Sequence, residues 1–424
     1  MKQIKIGIMG MGTVGSGVYR VIEQEGSYIE HKEGITLTVK SVLALNYSIP
    51  IPEEKKVSSI DELIADDEID VIVEVMGGIE PAKTFITKAL RAGKSVVSAN
   101  KQLIANHWAE LEEEAKNSGA GFYFEASVGG GIPILRTVNE SLQANTITSV
   151  ISIINGTTNY ILTKMTNEGA SYEDVLKDAQ ALGYAEADPT ADVDGFDCMY
   201  KLSILASMAF HCRLPIEHIH REGIRNITKD DIYYAKQLGM VIKLLAIAKR
   251  EGECVELRVH PTMISASHPL ANVNDSFNAI MLHGSAVDDV MLYGRGAGDF
   301  PTASAVVSDV IVASKTIDHK YMTFMNRMGK LSPTLIFNKD WMTSYYLNMT
   351  VKNVPGTLAK ICKILGDKNI SIDSVIQNPG NAKEYTDVVI VTENALELSM
   401  QAAISVFKEF DEVKSINSLI RVER

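Results

Sequence analysis

The stretch Gly183–Leu202, GYAEADPTADVDGFDCMYKL, sets five carboxylates ahead of a single lysine. That much negative charge suits a bound cation, and a calcium loop is the first candidate. Thr190, Asp192, Asp194 and Gly195 stand where an EF-hand loop has its first, third, fifth and sixth residues. The twelfth position, which needs a bidentate Glu, is Lys201, and a cation there excludes calcium. The stretch must hold a different positive group and do chemistry with the lysine. On a helix beginning near Asp197, Asp197 and Lys201 are four residues apart and share a face. Spacing alone would make them a surface ion pair worth about 0.3–0.5 kcal/mol. The following run LSILASMAF is apolar nearly all round, however, so the helix is expected to be buried, and a buried lysine needs a reason to be there.

A second chemical signal lies near residue 10. Gly10, Gly12 and Gly15, with Thr13 and Val14 between them, form G-x-G-x-x-G directly after the apolar run Ile4–Met9. Glycines there permit a tight turn and let the backbone approach a pyrophosphate at a helix N-terminus, which favours a dinucleotide site over an ordinary turn. The second strand, read as Thr36–Leu45, ends in LALNYS without an acid to hold a ribose 2′-hydroxyl. Lys55 and Lys56 could meet a 2′-phosphate or serve as solvated loop charges, and the reading leans to NADP over NAD.

The elements that must position these groups follow from the pattern. Asp70–Gly78 reads as a buried strand, PAKTFITKALRAGK as a helix opened by Pro81 and closed near Gly93, and SVVSANK and GFYFEAS as further strands around a helical stretch. Such alternation predicts an α/β fold with a doubly wound parallel sheet and ligands at the strands' C-terminal ends. From Gly129 to Phe300 the pattern changes to α+β, with a helix predicted from Pro133 and a strand, turn and helix in SVISIINGTTNYILTKM. After FNKDWMTSYY the order is strand–helix–strand–strand–helix–strand, which is ferredoxin-like.

Composition bounds the partners. The chain has 424 residues, 46 % apolar and 22 % charged, which is a soluble multidomain pattern. A net charge of −12 without a basic cluster argues against nucleic acid and anionic membrane, and no apolar run reaches the ~20 residues of a membrane span. MKQIKIGIMGMG passes straight into strand and turn rather than a signal peptide. Cys198, Cys212, Cys254 and Cys362 form no C-x-x-C pair, and His211, His260, His268 and His283 lack paired metal-ligand spacing. The expected setting is the cytoplasm.

Taken together, the chain resembles homoserine dehydrogenases of the three-domain bacterial form with a C-terminal ACT domain. The resemblance spans essentially the whole chain and rests on the glycine turn, SANK (Ser98–Lys101), EASVGGGIPI (Glu125–Ile134), NGTTNYIL (Asn155–Leu162), LGYAEADPTADVDGFDCMYKL and GRGAGDFPTASAVVSD (Gly294–Asp309). It implies NAD(P)H-dependent reduction of L-aspartate 4-semialdehyde to L-homoserine, in the biosynthesis of threonine, isoleucine and methionine. It implies a Rossmann-type dinucleotide domain at 1–130 completed by 300–325, a substrate-binding, catalytic and dimerisation domain at 131–299, and a regulatory ACT domain at 346–424. By the same match Lys201 supplies the proton and Lys101 is a second active-site lysine beside the nicotinamide. Glu186 and Asp197 bind the substrate's ammonium, and Gly183 and Gly298 lie close to the cofactor. Glu125 with the carbonyls of Val128, Gly130 and Ile132 holds a monovalent cation, expected to be Na+. NVPGTLAKICKIL resembles the ACT signature, which puts Asn353, Val354 and Gly356 at an amino-acid effector site, with L-threonine the expected ligand. A homodimer or homotetramer is implied as well.

The chemistry agrees with the match. Hydride arriving at an aldehyde carbon leaves an alkoxide, which a nearby ammonium stabilises and protonates. An acylating semialdehyde dehydrogenase would need a thiolate, and Cys198, beside Asp197, points about 100° away from it on a helix. The rival of another class is a non-catalytic sensor of a dinucleotide and an amino acid; only the enzyme needs Lys101, Lys201, Glu186 and Asp197 together. Asp188, Asp192 and Asp194 are read as loop charges or caps.

Overall fold

The structure is a computed structural model describing residues 2–317, 334–377 and 384–423. The chain forms two compact units. The first comprises Met1–Ile154, Asp197–His218 and Phe277–Thr334; the second comprises Asn155–Phe196, Ile219–Ser276 and Leu335–Arg424.

In the first unit Ile4, Ile6, Ile8 and Met9 are fully or almost fully buried along the strand Lys2–Met11, as a parallel strand covered on both faces requires. Six strands are parallel in the order Lys56–Val57, Ile35–Tyr47, Lys2–Met11, Val71–Glu74, Ser95–Ser98, Phe122–Tyr123. Strand order reverses beside Lys2–Met11, and its C-terminal end is where such a sheet opens a crevice for a ligand. The helix Asp299–Thr316 lies against the helix Thr13–Glu33 at Gly17, where any side chain would overlap Asp299. The expected completing segment, 300–325, runs on into residues 318–325, which fall outside the described residues.

The first unit also holds the antiparallel strands Ile147–Ile153, Phe277–Gly284 and Asp288–Arg295, with Phe277–Gly284 in the middle. The helix predicted from Pro133 is only the turn Ile134–Arg136, which widens into a π-helical turn over Thr137–Ser141. The helix Phe196–Ala209 is buried along nearly its whole length, as its all-round apolar sequence requires.

In the second unit six strands are ordered Met240–Glu251, Cys254–Ser265, Val413–Glu423, Met342–Lys352, Tyr385–Thr392, Ile372–Gln377. With the helices Thr357–Asp367 and Glu397–Lys408, the last four strands make the predicted ferredoxin-like order. Their core is built from Tyr345, Leu347, Met349, Ile361, Leu365 and Phe407. Val413–Glu423 is shared: it runs antiparallel to Met342–Lys352, and Arg421–Glu423 pair in parallel with Thr262–Ile264. Arg258, wholly buried, reaches Glu423 at 3.1 Å and Glu256 at 3.3 Å. Arg421, 1 % exposed, pairs with Glu397 at 2.6 Å and Glu222 at 2.7 Å. Among the described residues no helix is long and apolar enough to cross a membrane.

Candidate active site

Two lysines meet at one carboxylate. Asp197 lies in the first turn of Phe196–Ala209 and Lys201 one turn later, as the i, i+4 spacing required. Lys201 Nζ donates to Asp197 Oδ2 at 2.7 Å and to the Ile154 carbonyl at 2.8 Å. Asp197 Oδ1 faces Lys101 Nζ at 2.8 Å. The Lys201 side chain is 9 % exposed and that of Lys101 43 %, so one ammonium is sunk in the protein and the other opens to solvent. An ammonium this buried is tolerable only with a counter-charge and further acceptors, which Asp197 and Ile154 supply.

Lys101 owes its place to a cap. It is the first residue of the helix Lys101–Ser118, whose N-cap Asn100 accepts from the Leu103 N–H at 3.1 Å and donates to the Gly78 carbonyl at 2.6 Å. Below it, the Ser98 hydroxyl donates to Glu74 Oε2 at 2.6 Å. Burial pushes the Glu74 carboxyl above its ordinary range, partly offset by Ser98 and the Met76 N–H. Sequence reasoning passed over Glu74; its signal was an acid in the middle of the apolar run VIVEV.

Gly183 and Glu186 belong to the second unit, whereas Lys101, Asp197, Lys201 and Gly298 belong to the first. Both Gly183 and Glu186 are exposed; Gly183 has φ 75°, and the Glu186 carbonyl accepts from Gln180 at 3.0 Å. Among the described residues the Glu186 carboxylate takes part in no ion pair. Of the three remaining acids of the stretch, Asp188 makes the local cap expected of it, while Asp192 and Asp194 have partners that spacing could not reveal. Asp188 accepts from the Thr190 N–H at 3.1 Å, Asp192 from Asn155 Nδ2 at 2.7 Å, and Asp194 from Arg225 Nε at 2.5 Å.

The glycine turn has the shape a dinucleotide needs. Gly10 has φ 101°, and a Cβ there would sit 2.8 Å from the Val75 carbonyl oxygen. A Cβ on Gly15 would overlap the Gly10 carbonyl, whereas one on Gly12, the N-cap of Thr13–Glu33, would face open space. Two glycines therefore close the turn and the third leaves room above the N–H groups of Thr13 and Val14. Gly298, φ 117°, is the N-cap of Asp299–Thr316. Lys55 donates to the Tyr19 hydroxyl at 3.1 Å, and Lys56 pairs with Glu53 at 2.5 Å. Leu45, near the end of the second strand, is 99 % exposed.

Glu125, 2 % exposed, accepts from the N–H groups of Leu135 and Arg136 at 2.9 and 2.8 Å. Burial raises its carboxyl to about 7 against those hydrogen bonds. Asp309, wholly buried, accepts from the Glu125 N–H at 2.8 Å and pairs with Arg136 at 2.5 Å; burial, with Glu125 adding to it, holds its carboxyl well above the usual range. Val128, Gly130 and Ile132 are buried in the same loop, where Gly129 and Gly130 take φ 75° and 54°. The Ile132 carbonyl already accepts from Ile134 at 2.8 Å.

A cavity of about 370 Å³ opens at the start of the helix Thr357–Asp367, lined by Asn353, Val354, Gly356, Thr357, Gln377 and Val388 among others. Gly356 has φ 93°, and the buried Thr357 hydroxyl has no hydrogen-bond partner among the described residues.

Comparison with known proteins identifies the family. The family described as "Homoserine dehydrogenase, NAD binding domain" matches residues 10–125, "Homoserine dehydrogenase" matches 133–311 and "ACT domain" matches 345–408. The homoserine dehydrogenase of Bacillus subtilis is 39 % identical, covering 100 % of this chain and 99 % of its own. That of Corynebacterium glutamicum is 41 % identical over 99 % of this chain and 96 % of its own. The crystal structure of a homoserine dehydrogenase from Thiobacillus denitrificans superimposes with a TM-score of 0.93 at 38 % identity, over 100 % of this chain and 99 % of that one. A hyperthermophilic archaeal homoserine dehydrogenase in complex with NADPH gives 0.63 at 30 % identity, over 74 % and 98 %. A dinucleotide turn, paired lysines on one carboxylate and an ACT module thus occur in one chain with full-length relatives of one activity: the chain belongs to the homoserine dehydrogenase family, NAD(P)-dependent oxidoreductases.

Proposed function

We propose that Lys201 and Lys101, set by Asp197, run the proton side of the reduction of L-aspartate 4-semialdehyde to L-homoserine. NAD(P)H supplies the hydride. Lys201 protonates the alkoxide that forms at the former aldehyde carbon, and Lys101 stabilises its charge. Asp197 aims both ammoniums and, with Glu186, offers negative charge to the substrate's own ammonium. The carrying observation is the single carboxylate between two lysine amines, one of them buried. Homoserine-dependent reduction of NAD and NADP, run in parallel, tests the reading; no reduction of either would refute it.

NADP is the preferred cofactor in this reading, because the second strand ends without an acid and Lys55 stands over Tyr19 of the glycine-turn helix. Gly10, Gly12, Thr13, Val14 and Gly15 take the pyrophosphate, with Lys101, Gly183 and Gly298 about the nicotinamide end. Lys55→Ala should therefore raise KM for NADP by about tenfold, in line with losing a charged hydrogen bond, and leave KM for NAD alone. Equal changes for both cofactors would remove Lys55 from the discrimination.

The all-oxygen donor set of Glu125, Val128, Gly130 and Ile132 suits a hard monovalent cation, sodium in this reading. Glu125 accepts from the Arg136 backbone N–H while Asp309 takes the Arg136 guanidinium, so with both buried carboxylates ionised a cation balances the loop. Sodium should raise the melting temperature at fixed ionic strength relative to choline, by roughly 2–4 °C per kcal/mol of binding. Glu125→Gln should abolish that rise, and an identical response in the variant would exclude the site.

Asn353, Val354 and Gly356 form the effector site, with threonine as ligand and the unpartnered Thr357 hydroxyl as one of its contacts. Calorimetry should detect threonine binding, weakened about tenfold in Thr357→Val. Absence of binding by threonine, isoleucine and methionine would leave the module an assembly role only. The working form is a homodimer or homotetramer, and the four free cysteines fit a cytoplasmic setting.

A further inference from the structure

The turn NGTT, residues 155–158, has no part in the chemistry assigned above, yet it grips the acidic stretch at two points. The Thr157 hydroxyl donates to the Tyr184 carbonyl at 2.6 Å, two residues before Glu186. Asn155 Nδ2 donates to Asp192 Oδ1 at 2.7 Å, six residues after it. The other end of the same Asn155 amide caps the helix Gly156–Glu168, with Oδ1 accepting from the Thr158 N–H at 2.8 Å and its hydroxyl at 2.9 Å. Asn155 is 4 % exposed. It also directly follows Ile154, whose carbonyl receives Lys201 at 2.8 Å.

We propose that Asn155 is a positioning residue, which fixes the segment bearing Glu186 by tying Asp192 to the start of the helix Gly156–Glu168. This rests on the role given above to Glu186. The residue type follows from the double duty. Ser, Thr, Asp or Asn would cap the helix, but a hydroxyl is too short to span both tasks. An aspartate would cap as well, yet would set a second carboxylate against Asp192. The asparagine amide offers an acceptor to the helix and a donor to the carboxylate at once. Asp192, which looked like a spare loop charge, becomes the far end of a brace.

The test uses the full-length protein loaded with NADP. Asn155→Ser keeps a good cap and removes the donor. It should leave the melting temperature within a few degrees of the wild type. Homoserine binding by calorimetry should weaken about tenfold, with NADP affinity unchanged. Asn155→Asp should be worse than Asn155→Ser. In a cycle with Asp192→Ala, the double variant should bind homoserine no more weakly than the worse single one. Additive losses, homoserine affinity within about twofold of the wild type, or parallel losses of NADP affinity would each overturn the proposal. So would a fall in melting temperature of more than roughly 10 °C in Asn155→Ser, which would make the residue a structural cap alone. Because the readout is binding, it stands apart from the proton-transfer reading: full turnover in Lys201→Ala would refute that reading and leave the brace to be judged on homoserine affinity.

Discussion

Lys201→Ala should lower kcat at least ~10²-fold, the usual scale for removing a general acid. Affinity for NADP should hardly change, because Lys201 lies on Phe196–Ala209 and not on the glycine turn. The fold should survive, since Asp197 keeps Lys101 at 2.8 Å and is not left as an unpaired buried charge. Asp197→Asn is the harsher change for the site. It would leave two ammoniums facing a neutral amide, so both kcat and homoserine affinity should fall. A Lys201→Ala enzyme with near-normal kcat would transfer the proton-donor role to Lys101 or to water.

Removing residues 346–424 should unfold the second unit rather than release a free-standing catalytic core. The cut would strip Val413–Glu423 from its parallel pairing with Thr262–Ile264 and leave Met263 and Ile264, now fully buried, beside an open edge. Full exposure of each such side chain costs roughly 1.5–3 kcal/mol. Arg258 would lose Glu423, keeping Glu256 at 3.3 Å as a carboxylate partner, and breaking a buried pair costs about 3–5 kcal/mol. Against a typical total stability of about 5–15 kcal/mol, these losses are decisive. The truncated chain should aggregate or melt at least roughly 10 °C lower, as seen by calorimetry. A soluble truncation with the wild-type transition would show that the module is a detachable appendage. Regulation is therefore better probed by Thr357→Val than by deletion.

Much of this architecture was legible in the residues because it is local. The glycine turn, the Asp197–Lys201 spacing and the strand–helix order of the last eighty residues each depend on neighbours within one or two turns. What stayed hidden was non-local. Nothing in the i, i+4 pattern names Ile154 as the second acceptor for Lys201, since the two are separated by 47 residues. Asp192 and Asp194 looked like loop charges because their partners, Asn155 and Arg225, lie 37 and 31 positions away. Glu74 was read as part of a buried strand without the question of what satisfies its carboxylate. The alternation in Val413–Glu423 sets which side chains face inward but does not say which strand will pair with it. The turn from Pro133 has its first N–H groups capped by the Glu125 carboxylate, a contact ten residues back that the local pattern does not show.

The shared strand also has a consequence for how the chain is made. Arg258 meets Glu423 across 165 residues, so the hairpin of Met240–Glu251 and Cys254–Ser265 emerges from the ribosome long before the strand that closes its edge. During that interval an apolar edge is open to pairing with other chains, the situation in which nascent proteins aggregate or engage chaperones. At synthesis rates of roughly 5–20 residues per second the exposure lasts on the order of ten to thirty seconds. Ribosome-bound intermediates stalled just short of residue 413 should be protease-sensitive throughout the second unit, and protection should appear there only once residues 413–423 have cleared the exit tunnel.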